Sequence, residues 1–283
     1  MCGIVGYVGQ EQAAPILLEG LSRLEYRGYD SAGICVSRDG RLQLEKSKGR
    51  LQNLIEKTEN GALLPGTLGI GHTRWATHGE PNDCNSHPHL SQGGKIALVH
   101  NGIIENYLEL RQFLLGKGVH FASETDSEVV AQLLEYYYNE TGSVFDALYR
   151  VLHRIEGAYA FGILCADEPD RIYAARKDAP LLLGFGEGCN FIASDVTALV
   201  KHTRTVAYME DGEVAVLTRD AIRVFDAMEQ PVEKPRHYVD WEISAAEKGG
   251  YPHFMLKEIM EEPDAIRRTI SPRLKGGRIV LDD

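Results

Sequence analysis

The sequence predicts a layered α+β fold, in which antiparallel sheets are covered by a few long helices. Many short β-like runs are separated by turn signals such as Asp211-Gly212, a pattern typical of hairpins. Apolar residues recur at helical spacing in only a few longer segments. Strands in hairpins with separate helices favour layered α+β over a parallel sheet built from βαβ units.

The helical segments carry their own boundary signals. Leucines share one face of the segment 15–24. Before the segment 127–138, Thr125 and Glu128 form the pattern of a capping box. Ser143 and Asp146 mark the start of the segment 143–155. Helices are therefore predicted at residues 15–24, 105–115, 127–138 and 143–155.

The β-like runs extend from the N-terminus to about residue 225. The first begins two residues after Cys2, and the turn segment 167–170 predicts one of the hairpins. Strands are predicted at residues 4–8, 33–36, 68–71, 95–100, 158–165, 171–175, 181–185, 190–193, 206–209, 213–218 and 222–225.

The character of the chain changes from about Met228. The segment 233–237 is polar and the strand rhythm stops there. A short helix is predicted at residues 254–259, running to Pro263, and the chain end has neither a helix stop nor a polar tail. We expect residues from about 228 onward to be a connector into a segment absent from this chain.

Composition excludes several classes of protein. With 283 residues and 43% hydrophobic content, the chain can bury a large core. Thirty basic residues against 41 acidic ones give a net charge of −11, which argues against nucleic acid or an anionic membrane as a partner. No run approaches the ~18 apolar residues of a membrane span, and the first residues lack the basic segment and apolar core typical of a signal peptide. The expected location is cytoplasmic, and the five cysteines, which form no CxxC, are expected to be reduced thiols.

Cys2 is the most informative residue for function. Removal of Met1 would leave a terminal cysteine, whose α-amine titrates at about 7.7–8.0, close to the thiol at roughly 8.5. One residue could then supply both the nucleophile and its base. The alternative is a small apolar residue that enters the first strand.

Two further segments could carry chemistry. Residues 71–81 contain Arg74, Trp75 and two histidines, a set able to bind a carboxylate beneath a lid; an ordinary polar loop with Trp75 packed on the core would look the same. Asn101-Gly102 is most simply a type I′ hairpin turn, and alternatively a pair of oxyanion donors.

Weaker candidates have simpler structural explanations. Asp126 stands at a helix start, where the dipole favours it, although it could receive an ammonium group. Arg27-Gly28 fits a basic last turn followed by a C-cap glycine. Two groups are weak as ligand sites, the possible zinc cluster Cys84, His87 and His89 and the possible phosphate loop Gly184 to Gly188.

Taken together, five blocks resemble a known family. They begin at Cys2-Gly3-Ile4, Tyr26-Arg27-Gly28, His72-Thr73-Arg74, His100-Asn101-Gly102 and Ser123-Glu124-Thr125-Asp126. In this order they resemble the glutaminase domains of class II glutamine amidotransferases, in the branch of the glutamine–fructose-6-phosphate aminotransferases. The resemblance covers residues 2–240 and implies a four-layer αββα sandwich of the N-terminal nucleophile hydrolase type. Residues 241–283 would be a linker and the start of the sugar-phosphate isomerase half.

The resemblance also implies roles for individual residues. Cys2 would attack the side-chain amide of L-glutamine, with Asn101 and Gly102 as the oxyanion hole. Arg74 would bind the α-carboxylate and Asp126 the α-ammonium group. The remaining pocket residues would be Trp75, Thr77 and His78 in a closing loop, and Arg27 and Gly28 near Cys2.

What the resemblance implies about partners is equally specific. No metal or cofactor is expected, and ammonia would pass to fructose-6-phosphate in the isomerase half, within a homodimer of the full-length enzyme. Glu261-Glu262-Pro263 departs from the expected Glu-Gln-Pro, outside the glutaminase site. A catalytically silent glutamine-binding module, or a purely structural protein, are the competing hypotheses.

Overall fold

The computed structural model describes residues 2–75, 79–240, 250–275 and 278–280. The chain divides into two compact units, Met1–Asp240 and Trp241–Asp283. Among the helices described, none is long and apolar enough to cross a membrane.

The first unit alternates strands with five α-helices in the described part of the chain. In chain order its elements are β1 (Gly3–Val8), α1 (Ala13–Leu24), β2 (Ser31–Arg38), β3 (Arg41–Lys48), α2 (Leu51–Lys57), β4 (Leu68–Arg74), β5 (His89–Leu90), β6 (Ile96–Ile104), α3 (Tyr107–Leu115), α4 (Asp126–Thr141), α5 (Val144–Leu152), β7 (Gly157–Cys165), β8 (Glu168–Lys177), β9 (Leu182–Gly186), β10 (Cys189–Ala193), β11 (Thr205–Tyr208), β12 (Val214–Thr218), β13 (Ile222–Phe225), β14 (Pro231–Val232) and β15 (His237–Tyr238).

Two antiparallel sheets form the middle of this unit. The first has the strand order β15-β11-β9-β10-β1-β4-β2-β3, and the second has the order β14-β13-β12-β8-β7-β6-β5. Helix α1 packs on β1 and β4 of the first sheet, and α4 packs on β6 of the second. The result is a four-layer αββα arrangement, which confirms the predicted fold class.

Apolar side chains fill the space between the two sheets. Ile4 from β1 and Ile70 from β4 pack in one cluster with Val99 from β6 and Ile172 from β8, all fully buried. A second cluster joins the outer face of β6 and β7 to α3, α4 and α5. Because β1, β4 and β6 all contribute side chains to the core between the sheets, the residues at the ends of these strands are held by buried apolar contacts.

The predicted helices are present, with shifted ends. Ser143 accepts a hydrogen bond from the Asp146 N–H, as its start signal predicted. Thr125 accepts from the Glu128 N–H, but the Glu128 carboxylate bonds the N–H groups of Ala122 and Ser123 instead of Thr125, so only half of the capping box forms. Helix α2 has no counterpart among the predicted helices.

Several predicted turns differ in the structure. Asn101-Gly102 is not a hairpin turn: both residues lie inside β6, paired with Ala160 and Tyr159. Asp211-Gly212 does turn, but it links β11 of one sheet to β12 of the other, so it closes no hairpin. The strand rhythm also continues past residue 228, through the short edge strands β14 and β15.

The second unit contains one α-helix, one 3₁₀ turn at Ser271–Arg273 and one hairpin in its described part. Helix α6 (Phe254–Ile270) continues through Pro263, well beyond the predicted end at that residue. The strands β16 (Leu274–Lys275) and β17 (Arg278–Ile279) pair antiparallel.

Candidate active site

The candidate site is a cavity of about 380 Å³ beside the start of β1 and the C-terminal ends of β4 and β6. This volume falls in the usual range for small-molecule pockets, about 300–1,000 Å³. Its walls come from both sheets and from the start of α4. They include seven of the predicted site residues, which are Cys2, Arg27, Arg74, Trp75, Asn101, Gly102 and Asp126.

Cys2 lies directly before β1, and its thiol is partly exposed to the cavity. The Trp75 N–H donates to Cys2 Sγ at 3.2 Å, and the sulfur lies 3.5 Å from the Trp75 carbonyl oxygen. Burial raises the pKa of the thiol, and the Trp75 N–H and the Arg74 guanidinium oppose that rise. Within the described residues, no imidazole or carboxylate is hydrogen bonded to the sulfur, so a side-chain base is not in place there.

Asn101 and Gly102 reach the cavity from the far end of β6. The Asn101 amide donates from Nδ2 to the Cys2 carbonyl oxygen at 3.2 Å, which places it beside the thiol residue. Gly102 has φ +129°, and a Cβ there would lie 2.0 Å from the Ala158 oxygen. Only glycine fits this position, where the strand bends close to β7.

Arg74, at the end of β4, is nearly fully buried, and its Nη2 donates to the Gly79 carbonyl at 3.2 Å. Burial lowers its pKa, and the charges of Cys2, Asp30 and Asp126 oppose that change, so the guanidinium stays charged. A Cβ on Gly28 would lie 2.8–2.9 Å from the Arg74–Trp75 backbone, so glycine lets the two segments touch.

Trp75 is not packed on the core: it is 46% exposed and meets the Tyr29 ring edge-on at 5.6 Å. Gly28 caps the 3₁₀ turn Glu25–Arg27 through its N–H, in an extended conformation and not as the left-handed C-cap of a helix. Thr77 and His78 lie outside the described residues.

Asp126 begins α4 and is held by the backbone of β6. Its Oδ2 accepts from the Ile104 N–H at 2.8 Å, and its Oδ1 lies 3.4 Å from Ser127 Oγ. Ser127 in turn contacts His100 Nδ1 at 2.8 Å. The carboxylate therefore faces a cavity that also contains Arg74, and the two opposite charges could hold the two ends of an amino acid.

Some residues that shape the site were given no role in it by the sequence: Asp195 was not singled out, His72 appeared only within a family block, and His87 only as a weak zinc candidate. Arg27 Nη1 donates to Asp195 Oδ2 at 2.9 Å, and Asp195 follows β10. His72 contacts Asn101, and His87 lines the cavity. These partners are separated by up to 168 residues, so no local pattern could identify them.

Three buried histidines, of which His87 lines the cavity, form a cluster. The rings of His72 and His87 lie 4.2 Å apart, and those of His87 and His89 lie 4.6 Å apart. Burial lowers the pKa of all three, to about 3 for His72, and it also lowers the pKa of His100. These imidazoles are therefore neutral at neutral pH.

We expect the free energy of unfolding to fall as the pH is lowered from 7 to 5.5. The unfolded chain protonates these histidines near their ordinary pKa of about 6.5, whereas the folded chain does not. Their stabilisation is therefore complete above that pH and is lost towards the folded pKa, about 3 for His72. Each group contributes a slope of up to about 1.4 kcal/mol per pH unit.

Urea unfolding at several pH values measures this slope. His89→Gln should make it shallower, whereas His237→Gln, at an exposed histidine, should leave it unchanged. An unfolding free energy that is constant from pH 7 to 5.5 would contradict the expectation.

The zinc and phosphate alternatives receive no support from the described residues. Among them, no group of three histidine, cysteine or acidic side chains is arranged to hold a metal ion. Cys84 is exposed and its Sγ donates to the Ala122 carbonyl, away from the buried rings of His87 and His89. Gly186 and Gly188 belong to the hairpin between β9 and β10, not to a helix start.

Comparison with known proteins gives a consistent picture. A family model described as a glutamine amidotransferase domain matches residues 72–201. Over the whole chain, the sequence is 58% identical to a glutamine–fructose-6-phosphate aminotransferase (isomerizing) of Caldanaerobacter subterraneus and 54% identical to that of Clostridium perfringens. A Pyrococcus horikoshii protein of the same name is 49% identical over 97% of this chain. The chain spans 46% of the length of each of these relatives.

Solved structures show the same architecture. A glutamine phosphoribosylpyrophosphate amidotransferase from B. subtilis superposes with a TM-score of 0.69 at 29% identity, covering 80% of this chain and 49% of that one. A glutamine aminotransferase class-II domain protein from Silicibacter pomeroyi has a TM-score of 0.55 at 15% identity and covers 80% of this chain and 99% of that one, a likeness of fold alone.

Proposed function

We propose that this chain is a glutamine amidotransferase that hydrolyses the side-chain amide of L-glutamine to glutamate and ammonia, with Cys2 as nucleophile. One observation carries the proposal. A thiol, an amide donor and a pair of opposite charges, those of Arg74 and Asp126, all line a single cavity of about 380 Å³.

Binding comes first in the proposed sequence of steps. The Arg74 guanidinium pairs with the α-carboxylate of glutamine, and Asp126 accepts from its α-ammonium group. Both side chains are almost fully buried and fixed by backbone contacts, so they lose little freedom on binding. Trp75, together with Thr77 and His78, closes over the ligand, and Arg27 and Gly28 complete the wall near Cys2.

The covalent step then needs a base at the thiol. The α-amine of a processed Cys2 takes the thiol proton, and the thiolate attacks the amide carbon of glutamine. Asn101 Nδ2 and the Gly102 N–H hold the resulting oxyanion. The ammonium of Cys2 returns its proton to the leaving nitrogen, the C–N bond breaks, and ammonia departs from a γ-glutamyl thioester.

Hydrolysis completes the cycle. Water loses a proton to the same amine and adds to the thioester carbon, the C–S bond breaks, and the ammonium returns that proton to the sulfur, which gives glutamate and the free thiol. The relatives that match the whole chain are named for an aminotransferase that acts on fructose-6-phosphate. We propose that, in a longer polypeptide of that kind, the ammonia aminates fructose-6-phosphate in the isomerase half to give glucosamine-6-phosphate.

An electrophilic substrate analogue tests the nucleophile and separates an enzyme from a silent binding module. A glutamine analogue with a diazoketone in place of its amide should add to Cys2 alone, and excess glutamine should protect against labelling. Peptide mass mapping locates the adduct. Cys84→Ala, which removes an exposed thiol outside the cavity, should still be labelled. Glutamine binding without any adduct on Cys2 would instead favour the binding module.

A further inference from the structure

We infer that His72 is a positioning residue for the glutaminase reaction: it donates to Asn101 Oδ1 and so turns the Asn101 NH₂ group towards Cys2 and the cavity. The inference rests on the proposed function, because Asn101 is the side chain that would hold the oxyanion. His72 itself contributes no atom to the cavity wall.

The contacts of the ring are specific. His72 lies on β4, two residues before Arg74, and is fully buried. Its Nε2 lies 3.0 Å from the His100 carbonyl oxygen and 3.0 Å from Asn101 Oδ1. One nitrogen therefore meets both the backbone and the side chain at the functional end of β6.

The carbonyl contact determines where the proton sits. A carbonyl oxygen can only accept, so Nε2 of His72 must carry the hydrogen. The Asn101 atom at 3.0 Å from that N–H must then be the oxygen, and the NH₂ group lies on the other side, 3.2 Å from the Cys2 carbonyl. With the amide turned around, two donors would face each other at His72 and two acceptors would face each other at Cys2.

The surroundings of the His72 ring favour a role as hydrogen-bond donor to Asn101 and not as an acid or base. Burial keeps the imidazole neutral, and Nδ1 has no hydrogen-bond partner among the described residues. The ring packs against His87. A neutral ring that is shielded from the cavity is unsuited to proton transfer with substrate, but it holds an amide orientation well, because reversal would leave buried polar groups unpaired.

A double-mutant cycle tests this role in protein that begins at Cys2. His72→Phe keeps the ring volume without a donor and should lower kcat for glutamate release about 10- to 100-fold. The KM for glutamine should change less than about threefold, since Arg74 and Asp126 remain. Asn101→Ala should cost about 10²–10³ in kcat. Adding His72→Phe to Asn101→Ala should change kcat by less than about threefold, because the group that it orients is already gone.

Conservative and remote variants separate positioning from stability. His72→Gln, whose amide N–H reaches about as far as Nε2, should recover at least about tenfold of the kcat lost in His72→Phe. His72→Asn, which is shorter, should not, and this pair suffices if His72→Phe does not fold. Val151→Ala, which opens the core under α5, should keep its kcat wherever it is folded.

The kcat values of these variants test the role of His72 separately from the proposed glutaminase function. If kcat is unchanged in His72→Phe, or if the losses multiply in the double variant, the inference is overturned while the proposed function stands. If Asn101→Ala alone keeps full kcat, the oxyanion role proposed for Asn101 is overturned, and the role of His72 with it.

Discussion

Cys2→Ala should lower the rate of glutamate release from glutamine by at least about 10⁴-fold, in line with the loss of a nucleophile in other covalent hydrolases. The effect is large because the thiol supplies the atom that forms the new bond. None of the other described residues that line the cavity has a thiol. Release of glutamate, followed by a coupled dehydrogenase assay, measures the change directly.

The matched control for this variant is Cys84→Ala. It removes a thiol of the same size from an exposed loop, and its rate should equal that of the parent protein. Binding of glutamate should survive in Cys2→Ala, since Arg74 and Asp126 are untouched. A Cys2→Ala protein with more than about one hundredth of the parent rate would contradict a covalent mechanism.

Retention of Met1 should lower kcat by about 10²–10⁴, the usual contribution of a general base and acid. With Met1 in place, the nitrogen of Cys2 is an amide that cannot take the thiol proton. The described residues around Cys2 Sγ provide backbone contacts from Trp75 but no imidazole or carboxylate to replace it. His72 cannot substitute, because its buried ring does not line the cavity and makes no hydrogen bond to the sulfur.

Two preparations of one sequence test the role of the amine. A cleavable N-terminal tag can leave either Cys2 or Met1 as the first residue, and intact mass verifies which is present. The rate of the form that begins at Cys2 should also rise with pH through the titration of an α-amine, at about 7.7–8.0. Equal kcat values for the two forms would refute the role of the amine.

Much of the fold could be predicted from the sequence, because hairpin turns and helical periodicity are local signals. Asn101-Gly102 shows the limit. The pair has the composition of a type I′ turn, yet it continues β6, since pairing with Ala160 and Tyr159 of β7 outweighs the local preference. A type I′ turn requires a positive φ at its glycine, and Gly102 does have one. In this structure the positive φ brings β6 close to the Ala158 backbone instead of making a turn.

The residues of the candidate site could be predicted from the sequence only because five motifs occur in the order typical of one family. Taken singly, each of the four main site residues has an ordinary structural explanation; they are Cys2, Arg74, Asn101 and Asp126. They line one cavity because of the way in which the two sheets pack together. Asp195 belonged to no motif, and the block that begins at His72 did not link that residue to Asn101. Their importance comes from hydrogen bonds across the fold, which no spacing along the chain encodes.

The site is divided between the two sheets, so its chemistry depends on their position relative to each other. Cys2 directly precedes β1 and Arg74 ends β4, both strands of the first sheet, whereas Asn101 and Gly102 lie in β6 of the second sheet. A shear of one sheet over the other by a single residue, about 3.3 Å, would leave each strand intact while breaking the hydrogen bond from the Asn101 amide to the Cys2 carbonyl oxygen. The apolar seam that contains Ile4, Ile70 and Val99 therefore sets the alignment of reacting groups as well as stability.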